Sequence, residues 1–247
     1  VNDPGLITKV CMLAGKIMLE SGAETYRVED TMNRIASAFG LENAQSYATP
    51  TGINFAIDFA ESTNFIRISN RSTDLHKIAE VNNLSRKITA GEVKLSSAPA
   101  LLDRIDKAKL TFPGWIQIIA AALVSGSFTI MFGGVWPDYF PSVVVGGVGF
   151  AAMLGIDRLV EIRFIAEFFA SLLIGAMAVG FVYSGLGVGL DKIIIGAVMP
   201  LVPGLHITNA VRDLMAGHLV AGVSKGVEAV LTAFAIGAGV AVVFGFL

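Results

Sequence analysis

A 247-residue chain that is 54% apolar, only 15% charged and of mean hydropathy +0.69 is too apolar for an ordinary soluble domain. Its formal charge of −2 supplies no basic field for nucleic acid, and its one cysteine, Cys11, excludes intramolecular disulfides and a Cys-rich metal site. Charge is unevenly placed: residues 1–113 hold 13 of the 18 Lys and Arg and 13 of the 20 Asp and Glu, so the first part suits water and the rest a bilayer.

The opening VNDPGLITKV has no basic start and no apolar core, so no signal peptide is expected, and the missing initiator Met suggests a trimmed chain. Leu6, Val10, Leu13, Ile17 and Leu19 fall near one stripe and predict a helix over 6–21, stopped by Gly22. A second helix is expected from about Thr25 to Phe39, carrying Val28, Met32, Ile35 and Phe39 inward before Gly40, and the two make a helical hairpin. Period two then takes over in GINFAIDF, with Ile53, Phe55, Ile57 and Phe59 on one face, and in NFIRIS. Thr49-Pro50-Thr51-Gly52 and Glu61-Ser62-Thr63-Asn64 read as the turns of antiparallel strands. Helical spacing returns over 74–90 through Leu75, Ile78, Val81, Leu84 and Ile88, closed by Gly91, and a last helix starts near Pro99. Residues 1–110 are therefore expected to form a cytoplasmic α+β domain, a size that can bury its own core.

From Trp115 the chain becomes a series of apolar runs near the roughly 20 residues that cross about 30 Å of hydrocarbon. Residues 111–247 are expected to be a transmembrane helical domain of five spans, at about 114–132, 140–156, 163–184, 190–211 and 226–247. Arg104, Lys107 and Lys109 precede the first span, Arg158 and Arg163 join the second to the third, and Arg212 and Lys225 join the fourth to the fifth. The other side carries Lys192 beside Asp138 and Asp191. Basic residues stay inside, which predicts the polar domain in the cytoplasm and the C-terminus outside. GGVGFAAMLG (146–155) contains a superficial glycine fingerprint, but inside a lipid span it reads as packing material. Ala229, Ala233, Gly237, Ala241 and Gly245 recur every four residues, a strip for the close approach of another helix, either of this chain or of another subunit.

The fourth run is interrupted by PLVPGLHITNAVRD, residues 200–213. Pro200 and Pro203 each remove a backbone donor, so the helix entering from Lys192 is expected to unwind over Met199–Gly204 and to restart after Gly204, with Thr208 or Asn209 near its first turns. Freed carbonyls in lipid cost several kcal/mol, so this backbone must face protein or a wet cavity. The new helix's amides favour an anion, and broken helices of this kind build substrate sites in many secondary transporters. The break thus reads as a carboxylate site with His206 and Asn209 as hydrogen-bonding groups and His206 as a titrating one. Arg212 adds charge there or anchors the helix at the interface with Asp213. Glu167, four residues after Arg163, is either an i,i+4 partner or part of a proton path. Glu228, near Lys225, leaves the same two readings open.

ESGAETYRVEDTMNRIASAFGL, TPTGINFAI and MPLVPGLHITNAVRDLMAGHLVAGVSKGVEAVLTAFAIG together resemble the larger, N-terminal part of the threonine/serine exporter (ThrE-like) family over nearly the whole chain. Pro-x-x-Pro-Gly, Thr-Asn-Ala and Arg-Asp between Pro200 and Glu228 are its distinctive elements, and Ser21, Gly22, Ala23, Thr25, Arg27 and Val28 match as well. Chemistry alone gives these last six no role beyond Gly22 as a helix stop, Thr25 as a cap and Arg27 pairing with Glu24 or Asp30. Thr49, Pro50 and Thr51 likewise read as a turn.

The resemblance implies proton-motive-force-driven export of a small metabolite, threonine and serine in some members and succinate in others. It also implies the split architecture of the succinate-exporting type, in which a separate small membrane subunit, or failing that a homo-oligomer, completes the pathway. The leading expectation is thus an exporter, or its larger subunit, in a bacterial inner membrane, working by alternating access. The substrate site would comprise Pro200, Pro203, Gly204, His206, Thr208, Asn209 and Arg212; the proton-coupling candidates are His206, Glu167, Asp213 and Glu228. No cofactor and no metal are expected. A non-transporting accessory subunit is the alternative. A membrane-anchored hydrolase is weaker, because the polar domain has no G-x-S-x-G and no metal-ligand spacing, and His76 stands alone beside Lys77.

Overall fold

The computed structural model describes residues 3–108, 111–160 and 162–245, so Lys109 and the last two residues of the expected fifth span lie outside the described residues. It divides into two compact units, Val1–Thr111 with Leu205–Gly226, and Phe112–Gly204 with Val227–Leu247.

In the first unit, α1 (Pro4–Glu20) and α2 (Thr25–Ala38) form the hairpin, joined at Gly22, whose φ of +84° suits a residue without Cβ. The helices approach closely where Gly15 meets Met32, and any Cβ at Gly15 would collide with that side chain. β1 (Gln45–Thr49), β2 (Gly52–Ala56) and β3 (Asn64–Arg67) follow as an antiparallel sheet in sequence order. Thr49 pairs with Gly52 and Ile53 with Ile66. The sequence located the second and third strands but not β1, since QSYAT lacks an apolar alternation and exposes Gln45 and Tyr47. α3 (Leu75–Thr89) begins where the Asp74 carboxylate accepts the N–H groups of His76 and Lys77, both at 3.1 Å. α4 (Ala98–Lys107) carries Pro99 in its first turn, the position where proline's missing N–H costs nothing. Val10, Met32, Ile53, Phe55, Val81 and Leu102 are among the side chains that meet in one core.

The second unit is built from α5 (Gly114–Met131), α6 (Trp136–Val160), α7 (Arg163–Tyr183), α8 (Leu190–Val198), a 3-10 turn (Met199–Leu201) and the part of α10 (Leu219–Phe244) beyond Gly226. Its core is narrow and made of small and β-branched side chains, Val145, Ala170, Ile174, Ala178, Ile193 and Ala197 among them. Glycines set the spacing: Gly146 lies against Ser125, Gly149 against Ile174 and Gly196 against Thr129, so the GGVG stretch packs helices together. Asp138, buried in the first turn of α6, accepts N–H groups from Val188 at 2.6 Å, Gly189 at 3.0 Å and Val135 at 3.3 Å, which fastens the α7–α8 loop to the start of α6.

Among the described residues, four helices (α5, α6, α7 and α10) are long and apolar enough to cross a membrane, and a fifth crossing exists if α8 with its 3-10 turn and α9 (Gly204–Met215) count as one span. The chain is a multi-pass membrane protein. The fourth expected span, 190–211, is broken where its two prolines predict: α8 is nine residues long, and α9 begins afresh at Gly204. Two other boundaries differ, α6 reaching back to Trp136 and α10 to Leu219, where the apolar pattern is diluted by Pro141 and by Lys225.

The small-residue strip on α10 is turned differently from the simplest expectation. Ala233, Gly237, Ala241 and Gly245 are exposed, and, its own stretch of helix aside, a Cβ built on Gly237 meets nothing within 4 Å among the described residues. The residue that meets α7 is Gly239, against Ser171 and the Phe168 carbonyl.

Candidate functional site

The interruption after α8 is a local consequence of its two prolines. Pro200 lies in the 3-10 turn, the Val202 N–H reaches back to the Met199 carbonyl at 3.2 Å, and Val202 itself is extended before the buried Pro203. The Gly204 N–H donates to the Val202 carbonyl at 2.8 Å and α9 starts there. Pro200, Pro203 and Gly204 belong to the second unit, whereas His206, Thr208, Asn209, Arg212 and Asp213 belong to the first. His206 is half-buried, and Thr208 is exposed with its hydroxyl donating to the Leu205 carbonyl at 3.1 Å.

Within the first unit, α9 and the start of α10 bring their polar groups to the N-terminus of α2. Helix α2 opens with Glu24 in extended conformation and no side-chain cap of its own, leaving amides that need acceptors. Asp213 supplies them: its Oδ1 accepts the Thr25 N–H at 2.8 Å and the Tyr26 N–H at 3.4 Å. The other oxygen, Oδ2, accepts from Lys225 Nζ at 2.7 Å, and that ammonium also donates to the Ala23 carbonyl and the Thr25 hydroxyl, both at 3.1 Å. Asp213 and Lys225 are 0% and 9% exposed at the side chain, so this is a buried ion pair with every Lys225 hydrogen used. Asn209 Nδ2 donates to the Gly22 carbonyl at 3.0 Å. Arg212 Nη1 donates to Glu24 Oε1 at 2.6 Å, and Arg27 stands 3.4 Å from Glu24 Oε2. Burial pushes the Glu24 carboxyl up, but the backbone N–H, Arg212 and Arg27 outweigh it and hold it below the usual carboxylate range.

This cluster gives the matched residues 21–27 the roles that sequence alone left blank: Gly22 and Ala23 offer carbonyls, Thr25 offers its N–H and hydroxyl, and Glu24 takes the arginine. Longer-range pairs hold both cations of this segment. Arg212 is on Glu24 and not on its neighbour Asp213, and the Lys225 ammonium is on Asp213, because α9 docks on α2 and turns both side chains toward it. Thr25 is not the cap of α2; Glu24 holds that position. Glu24 and Lys225 were missed as members of a site. A lysine inside an apolar helix was the available signal, since such a charge requires a buried anion nearby.

In the second unit, Glu167 lies on the buried face of α7 with its Oε1 2.8 Å from Arg163 Nε, as the i,i+4 spacing predicts. Its Oε2 is buried without a hydrogen-bond partner. Glu228 is half-buried on α10. Among the described residues, no group of three or more His, Cys, Asp or Glu could hold a metal ion.

Residues 9–247 match the family model described as "Putative threonine/serine exporter" (ThrE). A "Probable threonine/serine exporter" of Mycobacterium tuberculosis is 23% identical over 85% of this chain, which spans only 40% of that relative's length. Two proteins named "Probable succinate transporter subunit YjjP" match over more of their own length. That of Klebsiella aerogenes is 25% identical over 91% of this chain and 87% of its own, and that of Escherichia coli 24% over 95% and 92%. No solved structure matches. With the family model covering all but the first eight residues, the chain belongs to the threonine/serine exporter (ThrE) family.

Proposed function

We propose that this chain is an exporter of a small carboxylate metabolite, succinate or threonine/serine, or the larger subunit of one, driven by the proton motive force and working by alternating access. The observation that carries the reading is the apolar segment Leu190–Met215, interrupted at Met199–Gly204, in a chain of this family. Backbone unwound by two prolines needs polar company, and the positive end of the helix dipole at the start of α9 favours an anion. His206, Thr208, Asn209 and Arg212, with the backbone of Pro200, Pro203 and Gly204, form the proposed substrate site. The Arg212 side chain remains 59% exposed while bonded to Glu24, so a substrate carboxylate can compete for it.

Proton coupling is assigned to Glu167 first, because a carboxylate with one buried, unpartnered oxygen gains most from taking up a proton. His206, Asp213 and Glu228 are the further candidates. The first unit is proposed to face the cytoplasm and the C-terminus the outside of a bacterial inner membrane, following the basic residues. A separate small membrane subunit is the proposed partner, since two of the relatives are themselves named subunits.

Reconstitution in proteoliposomes, with labelled succinate, serine and threonine and with or without a pH gradient, tests the reading. The chain together with a small membrane partner should support efflux that the gradient accelerates. His206→Ala and Asn209→Ala should abolish it at unchanged insertion, and Glu167→Gln should remove the acceleration while leaving substrate exchange. Equal transport by the partner alone would make this chain an accessory subunit, and efflux unaffected by both alanine variants would remove the site.

A further inference from the structure

We propose that Glu29 and His218 form a proton-binding site that clamps the turn between α9 and α10 onto α2. His218 Nδ1 lies 3.5 Å from Glu29 Oε1, with side-chain exposures of 22% and 15%. The same oxygen accepts the Ala48 N–H at 2.8 Å, so one carboxylate joins α2, the strand β1 and the turn. The turn itself fixes the imidazole: Gly217, at φ +86°, reverses the chain, and the His218 N–H donates to the Asp213 carbonyl at 2.8 Å. Neither side chain belongs to the Asp213–Lys225 or Glu24–Arg212 pairs beside it.

The charges facing the pair come from each neighbouring element. On α2, Glu24 is held by Arg212 and Arg27; on α9, Asp213 is held by Lys225 of α10; and β1, QSYAT, brings an amide but no carboxylate, amine or imidazole. Burial pushes the Glu29 carboxyl up, the Ala48 N–H and His218 pull it down, and Asp213 pushes it up again, with a net rise. Imidazole is the side chain whose charge changes around neutrality. An imidazolium at this distance is an ion-pair partner for Glu29, whereas a neutral ring offers the carboxylate little. Proton uptake therefore tightens the clamp, and proton loss removes one of the contacts that hold the turn from which α10 departs, the Asp213–Lys225 and Glu24–Arg212 pairs remaining. The consequence for transport rests on the proton-driven export proposed above; the existence of the site does not.

Histidine-selective 13C labelling of the full chain in detergent tests this directly, because its three histidines are His76, His206 and His218. The resonance removed by His218→Gln should respond to pH, and Glu29→Gln should displace that response. Glu29→Asp, which keeps the charge at a shorter reach, should displace it less. The other two resonances should stay in place. In proteoliposomes, His218→Gln should flatten the pH dependence of efflux, where a merely structural role would lower efflux equally at every pH. A His218 titration indifferent to both Glu29 variants overturns the site. A coupled pair in a wild-type chain whose efflux ignores pH supports the site and overturns the proton-driven reading.

Discussion

A lysine in an apolar helix must be matched or its dehydration costs several kcal/mol, and Lys225 is matched by three acceptors, with Asp213 as counter-ion. Removing one member strands the other in a dry place. Lys225→Met should therefore destabilise the first unit by about 3–5 kcal/mol in chemical denaturation, and adding Asp213→Asn should recover part of that loss. A double mutant whose loss equals the sum of the singles would show that the two act independently. Glu24 makes a separate prediction with a defined sign. Its folded-state carboxyl is held below the usual value, so its contribution is present above about pH 4.5 and lost as pH falls through the lowered value. Melting curves between pH 3 and 7 should fall at the acid end for the wild type and flatten for Glu24→Gln.

At the scale of the element, glycines only two residues apart on α10, and so on opposite faces of it, have opposite expected effects. Leucine at 239 would drive a Cβ into Ser171 and the Phe168 carbonyl and should cost about 1–3 kcal/mol or more, read as a lower melting temperature. Leucine at 237 meets nothing and removes a flexible residue from a helix, so stability should hold or rise by up to about 1 kcal/mol. The four-residue spacing was legible in the sequence, but which of two opposite faces meets α7 was not, because small residues occur on both. Elements with strong periodicity, such as α1, α2 and α3, could be read directly, and the two prolines announced the interruption after α8. β1 escaped because its face is polar, and the cap of α2 escaped because its partner, Asp213, is remote.

For the whole molecule, sequence separation is what hid the site. Asn209, Arg212 and Asp213 could be picked out as chemically unusual, yet their partners lie 187 or 188 positions away at Gly22, Glu24 and Thr25. Nothing in local spacing predicts such a pairing, and the carbonyls that accept are anonymous in any sequence. The boundary at residue 110 was legible as a change of composition, but the first unit also recruits Leu205–Gly226. A fragment of residues 1–111 should consequently melt below the same fragment joined through a flexible linker to 205–226, as followed by circular dichroism. Equal melting would mean that the docked segment contributes nothing to the unit's stability.

Asp213 serving as the cap of α2 bears on how the protein is born. At roughly 5–20 residues per second, the ribosome reaches Lys225 some 5–25 seconds after Thr111 has been made. Until then the nascent hairpin displays bare amides at Thr25 and Tyr26 and a Glu24 that has Arg27 but not yet Arg212. A hairpin made before α5 is thus finished only after α8, waiting on residues that follow four apolar helices out of the ribosome.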